Sequence, residues 1–127
     1  MPPTLIVMLG GAIGAALRYH VSRFAAGWFT HGALAGWPGA TLLVNVSGGF
    51  AMGLLAGWLS RHGQPEPWRL LIGVGVLGGF TTFSAFSLEA IQLMQSARYA
   101  AALLYIGLSV ILSLAALFAG LTLVRAL

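Results

Sequence analysis

The stretch Gly75-Val76-Leu77-Gly78-Gly79-Phe80-Thr81-Thr82-Phe83-Ser84-Ala85-Phe86-Ser87-Leu88-Glu89 lies inside an apolar run from about Leu70 to Met94. A run of that length can cross a hydrocarbon layer of roughly 30 Å as a helix. Its middle is ill suited to one. Paired glycines followed by two β-branched, hydroxyl-bearing threonines are poor helix continuation, so a break is expected near residues 78–82. Non-helical backbone at mid-membrane depth survives only when buried in protein or lining a wet cavity. Carbonyls freed there suit a cation, and the N-terminus of the following half-helix suits an anion. The alternative is a kinked helix whose hydroxyls bond back to its own carbonyls.

Three further runs flank this one, at about residues 5–28, 39–59 and 99–124. The composition agrees: of 127 residues, 59% are hydrophobic and 6% charged, against about a quarter charged in a soluble domain. The expected fold is an all-α integral membrane protein, a single domain over residues 1–127 with four transmembrane helices per subunit. The polar segment Arg61-His62-Gly63-Gln64-Pro65-Glu66-Pro67-Trp68-Arg69 reads as a loop between the second and third spans. No basic residue precedes the first apolar run, which is read as a retained span rather than a cleaved signal peptide.

The charged residues are few: Arg18, Arg23, Arg61, Arg69, Arg98 and Arg125 against Glu66 and Glu89. The arginines form no cluster to grip phosphates, so nucleic acid is excluded as a partner and lipid is expected. With the N-terminus inside, Arg61, Arg69 and Arg125 fall inside and Arg23 and Arg98 outside, with Arg18 toward the outer end of span one. That is almost no positive-inside bias. Insertion in both orientations is expected, and with it an antiparallel homodimer; a weak bias that still fixes one topology is the alternative. Small residues every four positions (Gly10 and Gly14; Gly49, Gly53 and Gly57) allow close helix approach, within one subunit or between two.

Polar groups inside spans are costly and default to functional hypotheses. Asn45, with Thr41 one turn earlier, offers two amide hydrogens. Tyr105, Ser109 and Ser113 make a stripe of hydroxyls on span four. Interhelical glue is the ordinary explanation for each alone. Phe83 and Phe86 share a helical face, and an aromatic ring is positive at its edge. Core packing usually explains such a pair, but here it follows a suspected break among polar groups. Together these residues describe a narrow anion path lined by neutral donors, with Arg18, Thr82, Ser84, Glu89 and Ser113 as further candidate pore or vestibule residues. No nucleophile–base pair, metal-ligand cluster or phosphate loop is present, so no enzyme is expected. The match of Gly73-Val74-Gly75-Val76-Leu77-Gly78 to a dinucleotide fingerprint fails for want of a βαβ unit.

The chain resembles the Fluc (CrcB-type) fluoride channels along its whole length: Gly10-Gly11-Ala12-Ile13-Gly14-Ala15-Ala16-Leu17-Arg18-Tyr19, Thr41-Leu42-Leu43-Val44-Asn45-Val46-Ser47-Gly48-Gly49, Gly78 through Glu89, and Arg98-Tyr99. The third motif is long and specific. The resemblance implies an antiparallel dual-topology homodimer in the bacterial inner membrane, with two fluoride pores, conferring fluoride resistance. By that likeness Phe83 and Phe86 match the phenylalanine box, Asn45 the pore asparagine, and Tyr105 and Ser109 polar pore positions. It also implies a structural sodium ion at the dimer centre, held by the carbonyls of Gly78 and Thr81 from both subunits. Ala85 and Ala40 depart from the family pattern, the first at a position where a hydroxyl is common.

Other transporters compete with this reading. A small multidrug exporter needs an acidic residue in the membrane, usually in the first span, and that span has none. A fluoride–proton antiporter would use Glu89 as its proton carrier. A non-transporting assembly subunit would use the polar stripes as glue.

Overall fold

The computed structural model describes residues 1–127 and is all-helical. Five helices build it: α1 (Pro3–Ala26), α2 (Gly39–Arg61), α3 (residues 66–80), α4 (Phe83–Gln95) and α5 (Tyr99–Ala126). Helices α3 and α4 are the two halves of one long apolar segment, Glu66–Gln95. There are thus four segments long and apolar enough to cross a membrane. The shortest has 23 residues, about 35 Å at 1.5 Å per residue, enough for the roughly 30 Å hydrocarbon layer.

Helical backbone begins at Glu66, inside the segment read above as a loop, leaving only a short link after Arg61. The prolines explain it. Pro67 falls in the first turn, where its missing N–H costs nothing. The link itself turns through Gly63 at φ 72°, with Gln64 N donating to Leu59 O at 2.9 Å. From Arg69 to Leu77 the helix widens to π-type bonding, so that Gly78 N reaches Gly73 O, five residues back.

Glycines decide which helices touch. A Cβ on Gly14 would strike the backbone of Val76 and Phe80, and one on Gly75 would lie 2.8 Å from Gly10 Cα. Glycines on both partners thus bring α1 and α3 into backbone contact. On α2, Gly49, Gly53 and Gly57 do the same against Ser113, Leu117 and Leu121 on α5. Both stripes are spent inside the subunit. Helices α2 and α5 run parallel, with Gly49 and Gly53 facing Ser113 and Leu117, each 64 positions later, the offset that also pairs Trp37 with Ala101. That register positions the polar residues.

Candidate functional site

Helix α3 ends at Phe80, with Thr81 N still bonded to Leu77 O at 3.0 Å, and α4 begins at Phe83. Between them Thr81 (φ −76°, ψ 156°) and Thr82 (φ −148°, ψ 120°) are extended. Gly48 admits this segment, since any Cβ there would collide with the Thr81 methyl. Thr81 Oγ1 bonds back to Leu77 O at 2.9 Å. Thr82 caps α4, its Oγ1 accepting from Ala85 N at 3.2 Å.

Asn45 closes the gap from α2. Its Oδ1 accepts from Thr82 N at 2.8 Å and its Nδ2 donates to Thr82 O at 3.0 Å. Two amides are thereby diverted from helical pairing. Thr82 N, four residues after Gly78, goes to Asn45, and Ala85 N, four residues after Thr81, goes to the Thr82 hydroxyl. The carbonyls of Gly78 and Thr81 lose those donors.

A recess of about 350 Å³ opens beside this junction. Asn45, Thr81, Thr82, Phe83, Phe86, Ser109 and Ser113 all line it. The Phe83 and Phe86 rings stand 5.5 Å apart. Phe83 is 80% exposed on the subunit. Ser109 Oγ is buried and has no hydrogen-bond partner. An unpartnered buried hydroxyl costs about 1–3 kcal/mol.

One turn earlier on α2 and α5 lies a second polar group. Thr41 Oγ1 donates to Glu89 Oε1 at 2.8 Å, and the Tyr105 hydroxyl donates to Glu89 Oε2 at 2.7 Å. The Phe86 and Tyr105 rings, 5.3 Å apart, join the two groups. Of the remaining candidates, Ser84 is exposed, its Oγ 3.4 Å from Thr82 Oγ1. Arg18 is half-buried on α1, lines neither polar recess, and forms no ion pair; the single ion pair is Arg69–Glu66. The link from Glu89 to Thr41 and Tyr105 was missed in the sequence. Its signal was available: a lone acid within a span must find donors, and these are the nearest intraspan hydroxyls on two other helices.

Four apolar spans, with a recess lined in part by neutral polar groups, define a small polytopic membrane protein. Residues 5–121 match the family described as CrcB-like protein, Camphor Resistance (CrcB). A Caulobacter protein (strain K31) named Fluoride-specific ion channel FluC is 50% identical over 127 residues, covering 98% of this chain and 96% of its own. Proteins of the same name from Erythrobacter litoralis and Hyphomonas neptunium are each 51% identical, covering 98% and 95% of this chain and 96% and 94% of theirs. The chain belongs to the CrcB family. It is a multi-pass protein of the bacterial inner membrane.

Proposed function

We propose that the chain is one subunit of an antiparallel, dual-topology homodimer that lets fluoride leave the cytoplasm passively. The observation that carries the proposal is Ser109 Oγ, buried and unpartnered in a recess shared with Asn45, Phe83 and Phe86. Every group there is neutral. Asn45 Nδ2 has a second hydrogen beyond the one given to Thr82 O, and the two rings can offer positive edges. Such a wall attracts a small anion without trapping it as a fixed cation would. The near-80% exposure of Phe83 and the outward opening of the recess favour completion by a second copy.

The chemistry needs no coupling device. Hydrogen fluoride crosses membranes as a neutral weak acid and ionises in a near-neutral cytoplasm. A negative-inside potential then favours exit of the anion by about 2.3 kcal/mol per 100 mV. Glu89, the acid an antiporter would use, is instead occupied by two hydroxyl donors, and the relatives carry the name of a channel.

The interruption at Thr81 and Thr82 would lie at mid-membrane depth in this arrangement. The carbonyls of Gly78 and Thr81, deprived of the Thr82 and Ala85 amides, fit a sodium ion at the dimer centre. Bound there, the ion would supply the positive charge those carbonyl dipoles lack in lipid. Full dimer stability after exchange of sodium for a large organic cation would exclude that role.

Ser109→Ala tests the carrying observation. Removing an orphaned buried hydroxyl leaves stability equal or higher, yet fluoride efflux from liposomes should fall. Parental efflux in a folded Ser109→Ala dimer would place the path elsewhere.

A further inference from the structure

Five aromatic rings form an unbroken file from the α1–α2 connection to the first turn of α4. Phe29 and Trp37 are 6.3 Å apart, Trp37 and Tyr105 5.8 Å, Tyr105 and Phe86 5.3 Å, and Phe86 and Phe83 5.5 Å. We propose that Trp37 is a positioning residue for the anion path, holding Tyr105 and through it Phe86 and Glu89. The proposal rests on the fluoride-channel reading above.

Tyr105 is fully buried and is gripped from three directions. The Trp37 ring meets it nearly edge-on at 80°, Phe86 lies against it at 45°, and its hydroxyl is tied to Glu89. Glu89 cannot anchor this group by itself, because both its oxygens depend on Thr41 and Tyr105. Trp37, by contrast, is held independently. Its indole N–H donates to Ala101 O at 3.4 Å, one turn before Tyr105 on α5. Its backbone is pinned by Trp37 N to Leu34 O at 3.0 Å and Gly39 N to Trp37 O at 2.8 Å. Phe29 backs it from the far side, seated against Gly39 where any Cβ would collide with the ring. The connection is also tied to the turn after α4, where the Arg98 guanidinium donates to Ala35 O at 3.3 Å.

Trp37 lines the recess of about 320 Å³ shared with Thr41 and Glu89, but not the one that holds Asn45, Phe83 and Ser109. It therefore acts through Tyr105 on that site rather than by lining it. Without the indole, Tyr105 gains free volume on one side. Phe86 can then follow it, and the ring edge leaves the path.

The test compares Trp37→Leu with Trp37→Phe in fluoride efflux from liposomes, alongside dimer elution. Trp37→Phe keeps a ring against Tyr105 and is expected to retain most of the parental rate. Trp37→Leu has none and should slow efflux about tenfold with elution unchanged. Parental efflux in Trp37→Leu overturns the proposal. As a second measurement independent of that variant's folding, the W28F/W58F/W68F protein leaves Trp37 as its sole indole. Its emission should shift with sodium fluoride, not with sodium chloride, and Tyr105→Phe should abolish the shift. A fluoride-insensitive emission also overturns it. Failure of the parent to move fluoride removes the channel reading instead, which the same efflux traces distinguish.

Discussion

Asn45 and Thr82, 37 residues apart, are paired through both backbone groups of the threonine: N–H to Oδ1 at 2.8 Å and C=O to Nδ2 at 3.0 Å. One side chain on α2 thus substitutes for the helical bonds missing between α3 and α4. It also brings its spare amide hydrogen to the wall that holds Ser109. The same side chain thus serves the junction and lines the recess.

Asn45→Asp separates these roles by electrostatics. The carboxylate still accepts from Thr82 N but has no hydrogen for Thr82 O, and it sets a negative charge beside the anion. Fluoride efflux should vanish, with stability lowered by about 1–3 kcal/mol in thermal unfolding of the detergent-solubilised protein. Parental values in both measurements would remove Asn45 from the path and the junction alike.

Phe83→Ile and Phe86→Ile keep bulk but remove the ring edge. As packing changes they should cost less than about 1.5 kcal/mol. As changes to an anion path they should reduce efflux severely while the dimer still elutes normally. Unaltered efflux in both would return the rings to a packing role.

The glycine register predicts opposite signs at two positions. Gly53→Ala forces a Cβ into the backbone of Leu117 and Leu121 and should cost about 1–3 kcal/mol. Ala97 sits at φ 56° in the turn closing α4, with Arg98 N on Leu93 O at 2.9 Å. Glycine is the unstrained residue there, so Ala97→Gly should stabilise by about 1 kcal/mol. Thermal unfolding reads both.

The balanced arginines predict that a C-terminal tag is accessible from both sides of the membrane in intact cells. Adding two or three lysines to one connection should force a single orientation and abolish efflux, with rescue by an oppositely biased copy. A tag reached from one side only would remove the antiparallel dimer.

Much of the fold was legible because lipid imposes a simple rule. Apolar runs near 20 residues must be helical, and the four segments follow from length and composition alone. Of the poor helix formers Gly78-Gly79 and Thr81-Thr82, only the threonines are extended, and Gly78–Phe80 stays helical. What stayed hidden depends on register between helices far apart in sequence. Asn45, Phe83, Phe86 and Ser109 could be singled out one by one, but nothing local says that Asn45 grips Thr82 rather than facing only the path. The same holds for Glu89, whose partners Thr41 and Tyr105 lie 48 and 16 residues away. Trp37, just ahead of Pro38, carries no local mark of its role. Its contact with Tyr105 follows only from the parallel packing of α2 and α5.

The central claim is fluoride conduction through a neutral, tight path, and one measurement reaches it most directly. Purified protein in liposomes loaded with equal fluoride and chloride, with efflux followed by ion-selective electrodes for both, compares the two anions in the same vesicles. Rapid fluoride release with chloride retained is the predicted result; comparable release of both, or of neither, would contradict it.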